Sequence, residues 1–149
     1  MQRILFVCTG NTCRSPMAEA ILKNKNLGEI EVKSAGVFAV DGGTASMNAE
    51  QVWQENNIQH THRSSMLSEE LVNWATHIFT MTDAHKESVI NSFPHSADKT
   101  YRLKEFAGES GNLDVSDPFG GNVEVYRITF RELERFIDAA VTRLNKEKK

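Results

Sequence analysis

Residues 7–16 read VCTGNTCRSP, the end of an apolar run, Ile4 to Val7, that leads into a cysteine, a short polar stretch, an arginine, a serine and a proline. A short run of Ile, Leu, Phe and Val reads as a strand buried on both faces of a sheet. Ser15-Pro16 reads as a helix start, with Ser15 as N-cap and proline at the first helical position. Residues 8–15 are then a turn whose backbone N–H groups converge ahead of a helix N-terminus, a concavity suited to a tetrahedral oxyanion. Gly10 offers no side chain to obstruct the anion, and Asn11 tolerates the left-handed backbone that aims successive N–H groups inward. Arg14 supplies a permanently charged planar fork for two oxygens at once. Cys8, at the strand end, sits among these positive groups in a setting that favours a nucleophilic thiolate, and the Ser15 hydroxyl can donate to it.

The rest of the chain sets bounds on this reading. With 149 residues, 40% apolar and 25% charged, it suits one domain spanning residues 1–149. A net charge of -3 gives no general field for nucleic acid or acidic membranes, so affinity for phosphate is expected to be local. Ile4–Val7 is too short to span a membrane, and Met1–Arg3 does not lead into a signal-peptide core, so a cytoplasmic protein is expected. The two cysteines, Cys8 and Cys13, have no Cys or His partners at zinc-ligand spacing. No metal or cofactor is expected, and in a reducing compartment both are thiols. Cys13, in the same tight loop, is placed to trap an oxidised Cys8 as a reversible disulfide.

Strands are expected at 3–8, 31–34, 77–81 and 100–103, and helices at 15–25, 45–56, 68–74, 84–91 and 123–144. Ser68 before Glu69-Glu70 marks another helix start. Phe130, Leu133, Phe136, Ile137, Val141 and Leu144 form a core-facing stripe. The alternation implies an α/β fold: a four-stranded parallel sheet with helices on both faces and a phosphate-binding loop after the first strand. Ligands in such folds sit beyond the carboxyl ends of the strands, where residues 8–15 lie.

The stretch FVCTGNTCRSPMAEA resembles the signature of the low-molecular-weight protein tyrosine phosphatase family. Two further motifs extend the resemblance over the whole chain: Ser34-Ala35-Gly36, after the second strand, and Asp117-Pro118. The resemblance implies that Cys8 attacks phosphorus, Arg14 binds the phosphoryl oxygens and Asp117 protonates the leaving group. It also implies loop support by hydrogen bonds among Asn11, Ser15, Ser34 and His62. Thr9, Gly10, Asn11, Thr12, Cys13, Ser15 and Phe119 are the expected substrate-binding residues. A carboxyl on a loop suits the acid role, and Asp114 is the fallback for Asp117. His60, His77, His85 and His95 are expected to be surface or satisfied core groups.

Two features depart from the commoner tyrosine-phosphatase pattern. Thr12 stands where a bulky aliphatic such as Ile is usual, and Phe119-Gly120-Gly121 replaces an aromatic pair. The combination resembles the family's bacterial protein arginine phosphatase branch, because a polar, branched guanidinium needs a smaller wall with a hydroxyl. The expected function is hydrolysis of phosphoarginine in proteins through a phosphocysteine intermediate by a monomer. Phosphotyrosine hydrolysis is the alternative. A phosphocysteine carrier, which would not need Asp117, and a non-catalytic phosphate-binding module stand behind both.

Overall fold

A computed structural model describes residues 1–147 of the chain. Its centre is β1, Gln2–Cys8, in which Ile4, Leu5, Phe6 and Val7 are all fully buried. Successive side chains point to opposite faces of a strand, so one run feeds two cores. Ile4, Phe6 and Cys8 join the larger core, while Leu5 and Val7 join a smaller one with Val72, Ala75 and Val89. β1 pairs in parallel with β2, Ile30–Gly36, on one side and with β3, His77–Thr80, on the other; β4, Thr100–Arg102, extends the sheet in the order β2-β1-β3-β4. From β1 the chain first goes to β2 on one flank and only later to β3 on the other. The loop after β1 therefore opens at the point where the strand order reverses.

α1, Arg14–Asn24, is buried from Arg14 through Leu22, and with α6, Val123–Glu147, it covers the larger core. On α6 the buried stripe is Tyr126, Thr129, Phe130, Leu133, Phe136, Ile137, Ala140 and Leu144; Val141, expected in the stripe, sits at its edge, and Ala140 takes the centre. α2, Met47–Glu55, α3, Glu69–Trp74, and α4, Asp83–Ser92, each begin at a hydroxyl cap. Ser46, Ser68 and Thr82 accept there from the backbone N–H groups of Ala49, Leu71 and His85, satisfying one orphan donor apiece.

The start of α1 differs from the sequence expectation. The N-cap is Cys13, with no side-chain cap, and Ser15 is the second helical residue. Pro16 at the third position lacks an N–H that would have had no intrahelical acceptor anyway, so it fits without loss. Ser34-Ala35-Gly36 closes β2 rather than following it, and Gly36 pairs with Cys8. A 3-10 turn, Pro94–Lys99, lies outside the expected elements, and Leu103, expected to end the fourth strand, instead opens the short α5, Leu103–Phe106.

Candidate active site

The turn after β1 is fixed from outside by its carbonyls. Val37 N–H donates to Cys8 O (3.0 Å), Phe38 N–H to Thr9 O (2.9 Å) and Ser46 N–H to Thr12 O (2.9 Å). Asn11 O accepts from Ser64 Oγ (2.9 Å) and pairs with His62 Nε2 (2.7 Å). Because a trans peptide points its N–H opposite its C=O, carbonyls held outward turn the following N–H groups to the inside of the loop. Asn11 has φ 57°, the left-handed value that the sequence suggested. Gly36 lies against the back of this turn, where a Cβ would meet Thr9 O at 2.5 Å and Asn11 N at 2.9 Å. Only a residue without a side chain allows that approach.

Buried hydroxyls and amides form a directed chain beneath the loop. The Asn11 amide donates to Ser15 Oγ (2.8 Å) and Ser34 Oγ (2.9 Å), and its Oδ1 accepts from Ser65 N–H (2.8 Å). The Ser34 hydroxyl in turn donates to Glu19 Oε1 at 2.8 Å. The Ser15 hydroxyl, which accepts from Asn11, lies 2.8 Å from Cys8 Sγ and donates to it when the sulfur is a thiolate, which has no proton to give. Asn11 and Ser15 are fully buried and lie outside the cavity lining, and their side chains form the hydrogen bonds expected of them as loop support.

Burial acts to raise the Glu19 carboxyl, but His60, His62, the Lys23 charge and the Ser34 hydroxyl together outweigh it and hold it well below the usual carboxylate range.

Above the loop is a cavity of about 220 Å³ lined by Cys8, Thr9, Gly10, Thr12, Cys13, Arg14, Asp117 and Phe119. Arg14 is buried at the first turn of α1, where Nη1 donates to Val115 O (2.9 Å) and Nη2 lies 3.6 Å from Asp117 Oδ2. Val115 is itself anchored, since its N–H donates to Met81 O at the end of β3 (2.7 Å). Asp117 is half-exposed and accepts from Phe119 N–H at 3.0 Å. Asp114 is turned away, accepting from Asp83 N–H at the start of α4 (2.8 Å). Gly120 has φ 83° in a turn closed by Gly121 N–H to Pro118 O (2.8 Å). The turn explains the glycine and leaves Phe119 exposed at the rim.

Both cysteines are free, and Cys13 Sγ lies 3.2 Å from the Tyr126 hydroxyl. Burial first, then the contact with Cys13, pushes the Tyr126 hydroxyl upward, so it stays protonated and can donate.

Two histidines expected to be surface or satisfied core groups belong to the neighbourhood of the site. His85 is buried, with Nε2 2.8 Å from Thr9 Oγ1 and Nδ1 3.0 Å from Thr82 Oγ1. Burial, reinforced by the Arg14 charge against the opposing carboxylates of Asp117 and Asp114, pulls it down to about 4, so the ring is neutral near pH 7. His60 lies beside Glu19 and His62. No sequence spacing ties position 85 to position 9 or position 60 to position 19; only the sheet order and the loop after α2 bring them together.

A strand-end thiol, an inward-facing anion cradle, a buried arginine and a loop carboxylate define a cysteine-dependent, phosphoryl-binding α/β protein. Residues 3–149 match the sequence model of the Low molecular weight phosphotyrosine protein phosphatase family, and the chain belongs to that family. It is 53% identical over 146 residues to the Protein-arginine-phosphatase of Geobacillus stearothermophilus, covering 97% of each chain. A solved structure of YwlE arginine phosphatase from Geobacillus stearothermophilus superposes with a TM-score of 0.95 at 52% identity, covering 99% of this chain and 96% of that one. A YwlE arginine phosphatase mutant with a phosphorylated active-site serine in place of cysteine gives 0.92 at 42% identity, covering 97% of each.

Proposed function

We propose that this protein is a phosphoprotein phosphatase that removes phosphate from arginine side chains through a phosphocysteine intermediate. The observation that carries the substrate reading is the cavity wall itself, where Thr12 puts a small side chain with a hydroxyl beside Cys8 and Arg14. A phosphoguanidinium is planar, branched and rich in N–H donors next to phosphorus, and a threonine leaves it room and an acceptor. The arginine phosphatases among the chain's relatives support the same reading.

In this mechanism the Cys8 sulfur attacks phosphorus in line with the leaving nitrogen, while Arg14 and the loop N–H groups hold the equatorial oxygens. Asp117 protonates the departing guanidine nitrogen. The S–P bond has then replaced the N–P bond, and Ser15 remains hydrogen-bonded to the sulfur it will help to release. Water, deprotonated by Asp117, attacks the phosphocysteine and frees inorganic phosphate. The relative with a phosphorylated active-site serine supports a covalent phosphoryl-enzyme step. Phosphorylated proteins are the proposed partners, met by a monomer in the cytoplasm without nucleic acid or membrane. No helix among the described residues is long and apolar enough to cross a membrane.

The test is kcat/KM on phosphoarginine and phosphotyrosine peptides side by side, for the parent and for Thr12→Ile. Thr12→Ile adds bulk and removes the hydroxyl, and an unpaired polar group in a dry pocket costs about 1–3 kcal/mol, roughly ten- to a hundredfold in rate. Phosphoarginine turnover should fall by that order while phosphotyrosine turnover holds or rises. A parent that prefers phosphotyrosine, or an equal loss on both substrates, moves the assignment to a tyrosine phosphatase. Stoichiometric phosphocysteine without release of phosphate would instead indicate a carrier.

A further inference from the structure

We propose that Glu19, His60 and His62, on the rear of the loop that holds Cys8, form a binding site for Zn2+. Their potential ligand atoms all lie within 4.8 Å of one another. Two imidazoles and a carboxylate are a donor set that zinc accepts, with a water completing the tetrahedron. Zinc–nitrogen and zinc–oxygen bonds of about 2.0–2.2 Å place tetrahedral ligand atoms about 3.3–3.5 Å apart. His62 Nδ1 is 3.1 Å and His60 Nε2 3.5 Å from the same carboxylate oxygen, Glu19 Oε1, so both distances to the carboxylate are near those of a coordination shell, and the two imidazoles, within 4.8 Å of each other, would close around the ion.

Two further observations point to a cation. The first is His60 Nε2, which is buried and closes no hydrogen bond, on a side chain only 6% exposed. It lies 3.5 Å from Glu19 Oε1, too long and too poorly aligned for a closed hydrogen bond, so the nitrogen faces the carboxylate across a gap. The second is the hydrogen-bonding logic of His62. Nε2 faces the Asn11 carbonyl at 2.7 Å and Nδ1 faces the Glu19 carboxylate at 3.1 Å, and both oxygens are acceptors. With Nε2–H donating to the Asn11 carbonyl, the Nδ1 lone pair faces the Glu19 oxygen, and a cation shared with Glu19 fits between them. An Nε2–H donating to a backbone carbonyl is how zinc-bound histidines are usually oriented.

The site would have an outlet to solvent. Lys23 Nζ sits 3.1 Å from Glu19 Oε2 on a side chain 48% exposed, so its ammonium can swing aside for an entering ion and its water. Any proton held on His62 Nδ1 in the free protein leaves to solvent when the metal binds. The bond from His62 to Asn11 O is kept, so a bound ion would stiffen the loop from behind without entering the cavity.

The experiment is a Zn2+ titration by calorimetry of the full-length chain carrying Cys8→Ser and Cys13→Ser, so that no thiolate competes. A thermal melt and a Co2+ absorption spectrum accompany it. One equivalent should bind, the melting temperature should rise with Zn2+ concentration, and Co2+ should give a tetrahedral ligand-field band without sulfur charge transfer. Adding His60→Gln should weaken binding at least about tenfold. Lys23→Gln, on an exposed residue that does not threaten folding, should tighten it severalfold by removing a competing charge. Absence of binding in the thiol-free chain, affinity indifferent to His60→Gln, or no gain from Lys23→Gln would each overturn the proposal.

Discussion

The loop from Cys8 to Ser15 and the segment from Val115 to Gly121 close the same cavity from opposite sides, and they are held in opposite ways. In the first, Asn11 is fully buried and tied to Ser15, Ser34, His62, Ser64 and Ser65. In the second, Asp117 is half-exposed, fixed by its own short turn to Phe119 and by a 3.6 Å approach to Arg14. The contrast fits the two tasks. An oxyanion cradle works only if its donors are in place before charge develops, whereas a proton donor has to approach the leaving group and then make room for water.

The comparison breaks most visibly at the nucleophile. Cys8→Ser should lower kcat by about 10^4-fold or more, while vanadate affinity stays within a few-fold because the cradle is built from backbone and Arg14. Affinity falling in step with turnover, measured by titration, would make the thiolate part of the cradle.

Next comes the loosely held side. Asp117→Asn should cost about 10^2–10^4-fold in kcat/KM on a substrate with a poor leaving group and far less on an activated aryl phosphate. Stability should change by no more than about 0.5 kcal/mol, as for other exposed positions. Asp114→Asn should do the reverse, keeping most activity while costing the start of α4 no more than about 0.3–1 kcal/mol in denaturant melts, because the amide oxygen still accepts from Asp83 N–H and only a negative charge at the helix N-terminus is lost. An activity loss larger than that of Asp117→Asn would transfer the acid role to Asp114.

Gly36→Ala tests the rigid side from behind. Its Cβ would arrive 2.5 Å from Thr9 O, so backbone must move. We expect a loss of about 1–3 kcal/mol in stability and about 10^2-fold in rate with both catalytic side chains intact. Parent-like rates would mean the cradle is softer than its hydrogen bonds suggest.

The smallest effect concerns His85, which joins the rigid loop to α4. Its folded value near 4 lies below the ordinary 6.5, so between these the unfolded chain binds the proton more readily. Stability should fall as pH drops from about 6.5 towards 4, by at most about 1.4 kcal/mol per pH unit. His85→Gln should flatten that limb of the melting-temperature profile, and an unchanged profile would place the titration elsewhere. Glu19 enters lower down: its depressed carboxyl supports the fold above about 4.5 and loses that contribution as pH falls further.

Much of this architecture could be read along the chain because its signals are local. Ile4–Val7 announced a doubly buried strand, Ser68 a cap, and Asn11 its left-handed backbone. The chain placed Cys8 and Arg14, with five residues between them including Thr12, on the cavity wall. Of the two roles read for Ser15, the contact with the Cys8 sulfur is present and the helix cap is not, because one hydroxyl cannot serve both. His85 and His60 were missed because their partners arrive from elements 76 and 41 positions away in the chain. Such pairings are set by sheet order and packing, which no local period encodes. Gly36 is similar: its requirement comes from the neighbouring loop rather than from its own turn.

The outward-pinned carbonyls have a consequence for hydrogen exchange. Amides usually resist exchange because they are bonded inside regular structure, so rigidity and protection go together. Here they part company: the loop is held through its C=O groups, which turns the following N–H groups toward the open cavity. The amides of residues 9, 10, 12 and 13 should therefore exchange rapidly in the free protein although their backbone scarcely moves. They should slow sharply once an oxyanion occupies the cradle, making deuterium uptake in this one peptide a direct gauge of occupancy.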